Sequence, residues 1–468
     1  MVPDSELTYI DLPPQVVRVL RALGDARHEA ALVGGVVRDR VRGVPLRESD
    51  DWDAATSARP EEVAALFADA TWENRFGTVT ITGRPTVEVT SYRTEGGYRD
   101  RRRPDEVRFG ASLTEDLARR DFTINALAWI PIDLEAGQGR IVDPFDGARD
   151  LRAGLLRTVG DPRERFDEDA LRLVRAARFA GRLGLAIDPE TEAAILEVAP
   201  TVATVSAERV RDELLRMLDD AAPSSALRHL ERWGLLALLL PELAALRGVP
   251  QAKLLPGDAL DHALASVDAA PASDRALRLA ALLHDIGKAT TQADGHFIGH
   301  DRVGAEMAAQ ALHRLRVPAS LSVPAVDAIR QHMYAYDDSW TDAAVRRFIR
   351  RVGEPGMALL FALRRADDVA SGVGSAGEAS QLELERRIGR ELERSPDVLI
   401  RNRLSIDGND LQEELGWEPG PRIGRALDRL MEAVLDDPSL NRREVLLGLA
   451  RDADANAVTE RTGAEPGG

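Results

Sequence analysis

Two carboxylates, Asp51 and Asp53, flank Trp52 downstream of a Gly34-Gly35 pair. The apolar run Ala30 to Val33 ends in those glycines and passes into VVRDRVRG, which reads as strand, glycine turn and short helix. Backbone amides at such a turn, aimed by a helix N-terminus, suit a phosphate. If the segment through Thr56 is a strand, its period of two puts both carboxylates on one face. Carboxylates on one face beside a phosphate cradle suit a pair of Mg²⁺ ions that hold a triphosphate and activate a hydroxyl. A surface turn with solvated aspartates is the plainer reading of the same residues. In TVEVTSY, alternation leaves Glu88 on one face with Thr86 and Thr90, placed either as a third carboxylate or as an exposed strand glutamate. A second group of residues with chemistry lies between 250 and 375, where six of the eight histidines fall. His262, His284-Asp285, His300, His332 and Asp367 (with Asp368 beside it) offer imidazole and carboxylate ligands. Without thiols, these suit a divalent ion such as Mn, Ni, Co or Mg. His300 and His332 add the ligands for a second, bridged ion, where a shared water suits attack on a phosphodiester.

The elements that must position these residues follow from pattern. Residues 13 to 28 read as an amphipathic helix with a stripe of Val16, Val17, Val19, Leu20 and Leu23. PEEVAALFADA is a helix opened by Pro60, and TVTITG and TVEVTSY alternate as strands. Residues 93 to 104 are glycine-rich and charged without periodicity, the pattern of a loop. In EDLARRDFTINA, Arg119, Arg120, Asp121 and Asn125 fall within two turns; arginines suit triphosphate oxygens, an aspartate and an asparagine suit ribose hydroxyls. Residues 165 to 179 read as one strong helix, with Asp169 and Arg172 three apart on one face.

Composition bounds the classes. At 468 residues the chain can bury several cores, and zero cysteines exclude disulfides and thiolate metal sites. No apolar stretch reaches membrane-spanning length, and MVPDSELTYIDLPP lacks a basic n-region, so a cytoplasmic protein without a membrane partner is expected. A net charge of -17 opposes nucleic-acid binding, yet all cations but Lys253 and Lys288 are arginines, the better partners for phosphates and bases. A GC-rich genome accounts for the same bias, so charge decides nothing.

The order G-G-x-V-R-D, then D-x-D, then Thr56 resembles the DNA polymerase β-type nucleotidyltransferases. It resembles specifically the branch of bacterial class II tRNA CCA-adding enzymes and poly(A) polymerases with an HD domain, of the kind found in actinobacteria. The likeness runs from about residue 20 to 450 and assigns roles residue by residue. Asp51 and Asp53 would be catalytic and hold Mg²⁺, with Glu88, placed by strand alternation, as a third catalytic carboxylate near the ions; Gly34, Gly35, Arg38 and Arg120 would meet the phosphates. Asp121 and Asn125 would contact the sugar. Glu95, Gly96, Tyr98, Asp100, Arg102, Arg103 and Pro104 match the family's flexible loop, and Asp143 with Gly147 its hinge motif. The run E-D-x-x-R-x-x-R-x-x-R-F, from Glu168 to Phe179 with Asp169, Arg172, Arg175 and Arg178, matches its nucleotide-selecting motif. A carboxylate accepts from the exocyclic amine of cytosine or adenine, and a guanidinium donates to the adjacent ring nitrogen. Uracil and guanine reverse that pattern, so the Asp169-Arg172 pair would select CTP and ATP without a nucleic-acid template. SAERVRDELLRML resembles the next motif, a helix bracing the neck, in which Ser206, Glu208 and Arg209 read as structural. His262, His284, Asp285 and Asp367 resemble the HD phosphohydrolase quartet.

The resemblance implies an α+β fold: a polymerase β-like head with a mixed sheet (1–155), a helical neck (156–245), an HD body (250–375) and a helical tail that binds tRNA (376–451). Residues 452 to 468, polar and ending in Pro-Gly-Gly, read as disordered. The implied activity is addition of C, C and A to the tRNA 3′ end, with a phosphohydrolase in the body. A poly(A) polymerase, or chiefly an HD phosphohydrolase with an RNA-binding head, are the alternatives. The oligomeric state is left open.

Overall fold

The computed structural model describes residues 7–47, 50–72, 77–96, 106–251, 256–373, 376–399 and 403–462. The chain forms two compact units, Met1–Ala244 with Arg314–Arg316, and Ala245–His313 with Val317–Gly468.

The first unit opens as an α+β domain. Its strands are β1 (Leu7–Tyr9), β2 (Ala30–Val33), β3 (Trp52–Thr56), β4 (Ala70–Thr71), β5 (Thr78–Ile81), β6 (Val87–Ser91), the hairpin β7 (Arg93–Gly96) and β8 (Glu106–Phe109), β9 (Ala128–Asp133) and β10 (Gln138–Val142). Eight of them form one mixed sheet in the order β1-β10-β9-β2-β3-β6-β5-β4, parallel at β3–β6 and antiparallel elsewhere. Period-two alternation gives β3 two faces. Trp52 and Ala54 join the core under α1 (Pro14–Asp25), with Val16, Val19, Leu20, Val87 and Val89. Ala55, with Ala31 and Val33, packs on the opposite side. Asp53 has the parity of Ala55, and Glu88 opposes Asp53 in register, so both carboxylates stand on that second face. Short helices α2 (Gly35–Val41), α3 (Pro60–Leu66) and α4 (Leu113–Ala118) frame the sheet, and Leu113 and Leu117 of α4 seal the second face.

Helix α5 (Gly147–Ala153) ends the head, and the neck follows as α6 (Pro162–Glu168), α7 (Leu171–Leu183), α8 (Pro189–Val198), α9 (Ala207–Leu218) and α10 (Pro223–Arg232). One expectation fails here. The single helix from 165 to 179 is broken at Asp169, whose backbone is extended (φ -151°, ψ 104°). The Asp169 carboxylate accepts the Leu171 N–H at 3.1 Å, the local side-chain bond with which aspartate competes against helix and opens a new one. The second unit is helical. Its body and tail share one core, in which Val345, Phe348 and Leu360 pack with Leu411, Leu430 and Val434, so no boundary between compact units falls at 375/376. The final helix, Arg443–Thr462, runs past 452 and replaces the disorder expected there as far as Thr462, because Ala453, Ala455, Ala457 and Glu460 are good helix formers.

Helices α7 and α10 meet backbone to backbone at Gly181, where a Cβ would lie 2.4 Å from the Ala226 nitrogen. Gly181→Ala should therefore destabilise the protein by about 1–3 kcal/mol in urea denaturation, although alanine is the better helix former.

Candidate active site

The glycine turn is built for close approach. Gly34 has φ +73°, and a Cβ there would lie 3.2 Å from Asp53 Oδ2 and 3.6 Å from Arg120 Nη1. The turn, the strand carboxylate and the arginine thus converge on one point. Arg120 is aimed by α4: its Nη2 lies 3.5 Å from Oδ2 of the fully buried Asp116, and its Nη1 donates to the Asn125 carbonyl at 3.4 Å. Burial pushes the Asp53 carboxyl up to about 6; Arg120 opposes this, while Glu88 and Asp51 add to it. A group of carboxylates that the chain's own cations leave under-neutralised fits a divalent ion. Asp51 precedes β3 and is exposed, as is Glu88.

Beside this point lies a chain of buried polar contacts joining head and neck. Arg38 Nη1 donates to Asn125 Oδ1 (3.0 Å), and Asn125 Nδ2 donates to Asp121 Oδ1 (3.0 Å). Arg175 grips Asp121 Oδ2 through Nε (2.8 Å) and Nη2 (2.6 Å). Arg175 and Arg178 converge on Glu213 of α9, at 3.5 and 2.6 Å. The Phe179 ring underlies Arg38, Arg175 and Arg178 at 5.5, 5.3 and 4.3 Å, a cation–π floor. Burial alone would raise the Asp121 carboxyl; the Arg175 guanidinium and the Asn125 amide outweigh it and hold Asp121 at about 2.

Asp169 and Arg172 sit at the edge of this network but are not paired with each other. Arg172 Nη1 donates to Glu168 Oε2 (2.5 Å) and to the Arg165 carbonyl (2.8 Å), and Nη2 to the Arg119 carbonyl (3.2 Å). Asp169 is held in a two-pronged pair by Arg209 of α9, at 3.0 and 2.6 Å. Asp143 caps α5 by accepting from the Gly147 and Ala148 amides at 2.8 and 2.9 Å. Of the flexible-loop motif, Glu95 and Gly96 end β7, while Tyr98, Asp100, Arg102, Arg103 and Pro104 lie outside the described residues.

The second unit gathers the histidines. His262 lies on helix Ala259–Ala269, His284-Asp285 at the end of Arg275–Leu283, His300 at the start of His300–Arg314, His332 at the end of Ala319–Gln331 and Asp367 on Glu354–Ser371. Two triads form, His262/His284/Asp367 and Asp285/His300/His332, each with ligand atoms within 4.8 Å. Asp285 spans them: Oδ2 lies 3.3 Å from His284 Nε2, and Oδ1 lies 3.4 Å from His300 Nε2 and 3.9 Å from His332 Nε2. Asp367 Oδ1 is 2.9 Å from His262 Nε2, whereas the Asp368 carboxylate lies against Gly377. In His284, His300 and His332, Nδ1–H donates to the carbonyl three residues back (2.9, 2.7 and 2.6 Å), which turns each Nε2 inward. The Nε2 atoms of His284 and His332 are buried without a hydrogen-bond partner, and such nitrogens fit a divalent ion.

Comparison with known proteins agrees with this geometry. The chain matches the Poly A polymerase head domain over residues 30–157, a "probable RNA and SrmB-binding site of polymerase A" over 184–246, the HD domain over 257–371 and tRNA nucleotidyltransferase domain 2 over 385–450. It is 36% identical over 433 residues to the CCA-adding enzyme of Limosilactobacillus reuteri, covering 92% of this chain and 94% of that one. The chain belongs to the CCA-adding enzyme family. The Geobacillus stearothermophilus CCA-adding enzyme is 32% identical over 437 residues, 92% of this chain and 95% of that one. The crystal structure of the Bacillus stearothermophilus CCA-adding enzyme in complex with CTP superposes with a TM-score of 0.70 at 28% identity, covering 96% of this chain and all of that one. As in that family, the fold is α+β with a mixed sheet in the head and a helical HD body, and the chain is a tRNA nucleotidyltransferase whose domains imply divalent-metal dependence.

Sequence reasoning missed Asp116 and Glu213, which the fold brings to the site of the head and neck, and Lys288 in the body, 2.6 Å from Asp285. Glu213 carried no signal, because only the packing of α9 on α7 brings it to the two arginines.

The Asp121 pair has a pH signature. A carboxyl held at about 2 when folded, below its ordinary value, contributes stability above that ordinary value and loses it as pH falls. Asp121→Asn should cost about 2–4 kcal/mol at pH 7 by urea unfolding, with the gap to wild type narrowing below about pH 4. In the body, Mn²⁺ at about a hundred times its dissociation constant should stabilise the wild type by about 2.7 kcal/mol. A His284→Ala/His332→Ala double variant should lose that thermal shift.

Proposed function

We propose that the head adds C, C and A in turn to the 3′ end of tRNA, taking CTP and ATP and releasing pyrophosphate. The observation that carries this reading is the convergence of Gly34, Asp53 and Arg120 on one point, next to the buried Asp121 and Asn125 of the head, which Arg175 of the neck holds. Asp51 and Asp53 would hold Mg²⁺, with Glu88 beside them; bound there, the ions lower the pKa of the terminal tRNA hydroxyl and neutralise charge on the α-phosphate. Gly34 and Gly35 let the triphosphate approach the backbone, and Arg38 and Arg120 supply cations to its oxygens. Asp121 and Asn125 orient the ribose, held by Arg38 and Arg175. Asp169 and Arg172 read the Watson–Crick edge shared by cytosine and adenine. The relatives matched over the whole chain are CCA-adding enzymes, which favours this activity over poly(A) synthesis.

The body supports a second activity. Six converging ligands with two partnerless imidazole nitrogens suit two divalent ions of the Mn, Ni, Co or Mg kind, which would supply Lewis-acid activation of water. The substrates of matching chemistry are 2′,3′-cyclic phosphate ends and phosphomonoesters.

With a tRNA transcript lacking its last three nucleotides, CTP alone should add two residues and CTP with ATP should stop at three. A long ladder with ATP alone would make the chain a poly(A) polymerase. Asp53→Ala should abolish addition, by about 10³-fold or more, and spare hydrolysis. Asp285→Ala should do the reverse, and hydrolysis that survives it would remove the body's proposed activity.

A further inference from the structure

The nucleotide-selecting carboxylate cannot set its own direction. Asp169 lies at the break between α6 and α7, on extended backbone, where its side chain's one bond to a chain neighbour is from the Leu171 amide to Oδ1. Its position is imposed from forty residues away. Arg209, in the first turn of α9, donates through Nη1 to Asp169 Oδ1 (3.0 Å) and through Nη2 to Oδ2 (2.6 Å), and the Leu171 amide adds a third bond to Oδ1 (3.1 Å). An ionised carboxylate has about four lone-pair sites, two on each oxygen. Both on Oδ1 are filled, and one on Oδ2. A single acceptor direction is left, on Oδ2, in the plane that the guanidinium fork dictates.

We propose that Arg209 is the residue that gives the enzyme its base discrimination, by holding Asp169 as an acceptor with one open direction. The proposal rests on the reading of Asp169 as the group that meets the incoming base. A carboxylate so held accepts one exocyclic N–H at the position where cytosine and adenine carry an amine (C4, C6) and uracil and guanine carry a carbonyl. Released from the fork, Asp169 can turn about its side-chain bonds or take a water between itself and a carbonyl oxygen, and the wrong bases then lose their penalty. Arg209 touches neither nucleotide nor tRNA in this role; it is a positioning residue. Lysine offers a point charge with no planar fork, so it can neutralise Asp169 without fixing its plane.

The test is competition at the terminal position on a tRNA transcript ending in CC, comparing kcat/KM for ATP with that for GTP and UTP. Arg209→Gln should reduce the preference on the order of tenfold or more, the value of one charge-assisted hydrogen bond misdirected. Arg209→Lys should fall between Arg209→Gln and wild type. Arg211→Gln, on the same helix but paired with Asp212, should leave the preference unchanged. Adding Arg209→Gln to Asp169→Ala should reduce discrimination no further than Asp169→Ala alone. A folded Arg209→Gln protein with wild-type preference, while Asp169→Ala has lost it, overturns the proposal. Full preference in Asp169→Ala overturns instead the reading of the base-selecting pair on which it rests. Should Arg209→Gln fail to fold, Arg209→Lys decides: a preference equal to wild type overturns the proposal.

Discussion

The pair between Asp121 and Arg175 is the contact on which the catalytic unit depends. Asp121 follows α4 in the head and is buried, and the half-buried Arg175 on α7 in the neck supplies the charge that pairs with it. Breaking a buried pair strands a charge, which costs far more than the pair contributes when whole. The same two side chains reach Asn125 on one side and Glu213 of α9 on the other. Head and neck are thereby joined through one chain of polar contacts.

Around that pair the site uses small, rigid devices rather than long loops. Strand alternation places Asp53 and Glu88 on the face that α4 covers, and the glycine turn leaves room beside Asp53 that any side chain would fill. Arg120 is the cation shared by turn and strand, and Asp116 beneath it keeps it there. Each side chain is oriented by a neighbour that itself has no freedom, which is how a site holds geometry to a fraction of an ångström.

The body reaches a similar result by a different route. Three of its histidines use one local device, a ring N–H given to the carbonyl three residues back, which fixes the tautomer and directs Nε2 at the centre. Asp285 then faces ligands on both sides, with one oxygen toward each triad. The metal chemistry implied is therefore carried by helix ends and buried imidazoles, while the head's is carried by strand carboxylates.

Residue order alone was enough for the alternating strands and the glycine turn, because each depends on spacing within one element or on a local motif, whereas the α+β class and the His-Asp quartet of the body, spread from residue 262 to 367, were legible only through the family resemblance. The break at Asp169 was not legible, since the periodic apolar residues from 165 to 179 look the same whether or not the chain pauses to let an aspartate cap the next helix. Helix to Thr462 was hidden by polar composition that opposes burial but not helix. The side chains that hold the site, Arg209 on Asp169 and Glu213 on Arg175 and Arg178, lie tens of residues from their partners. Spacing carries no information about such pairs. They exist only when α9 packs on α7, and that packing is decided by how whole hydrophobic faces fit together.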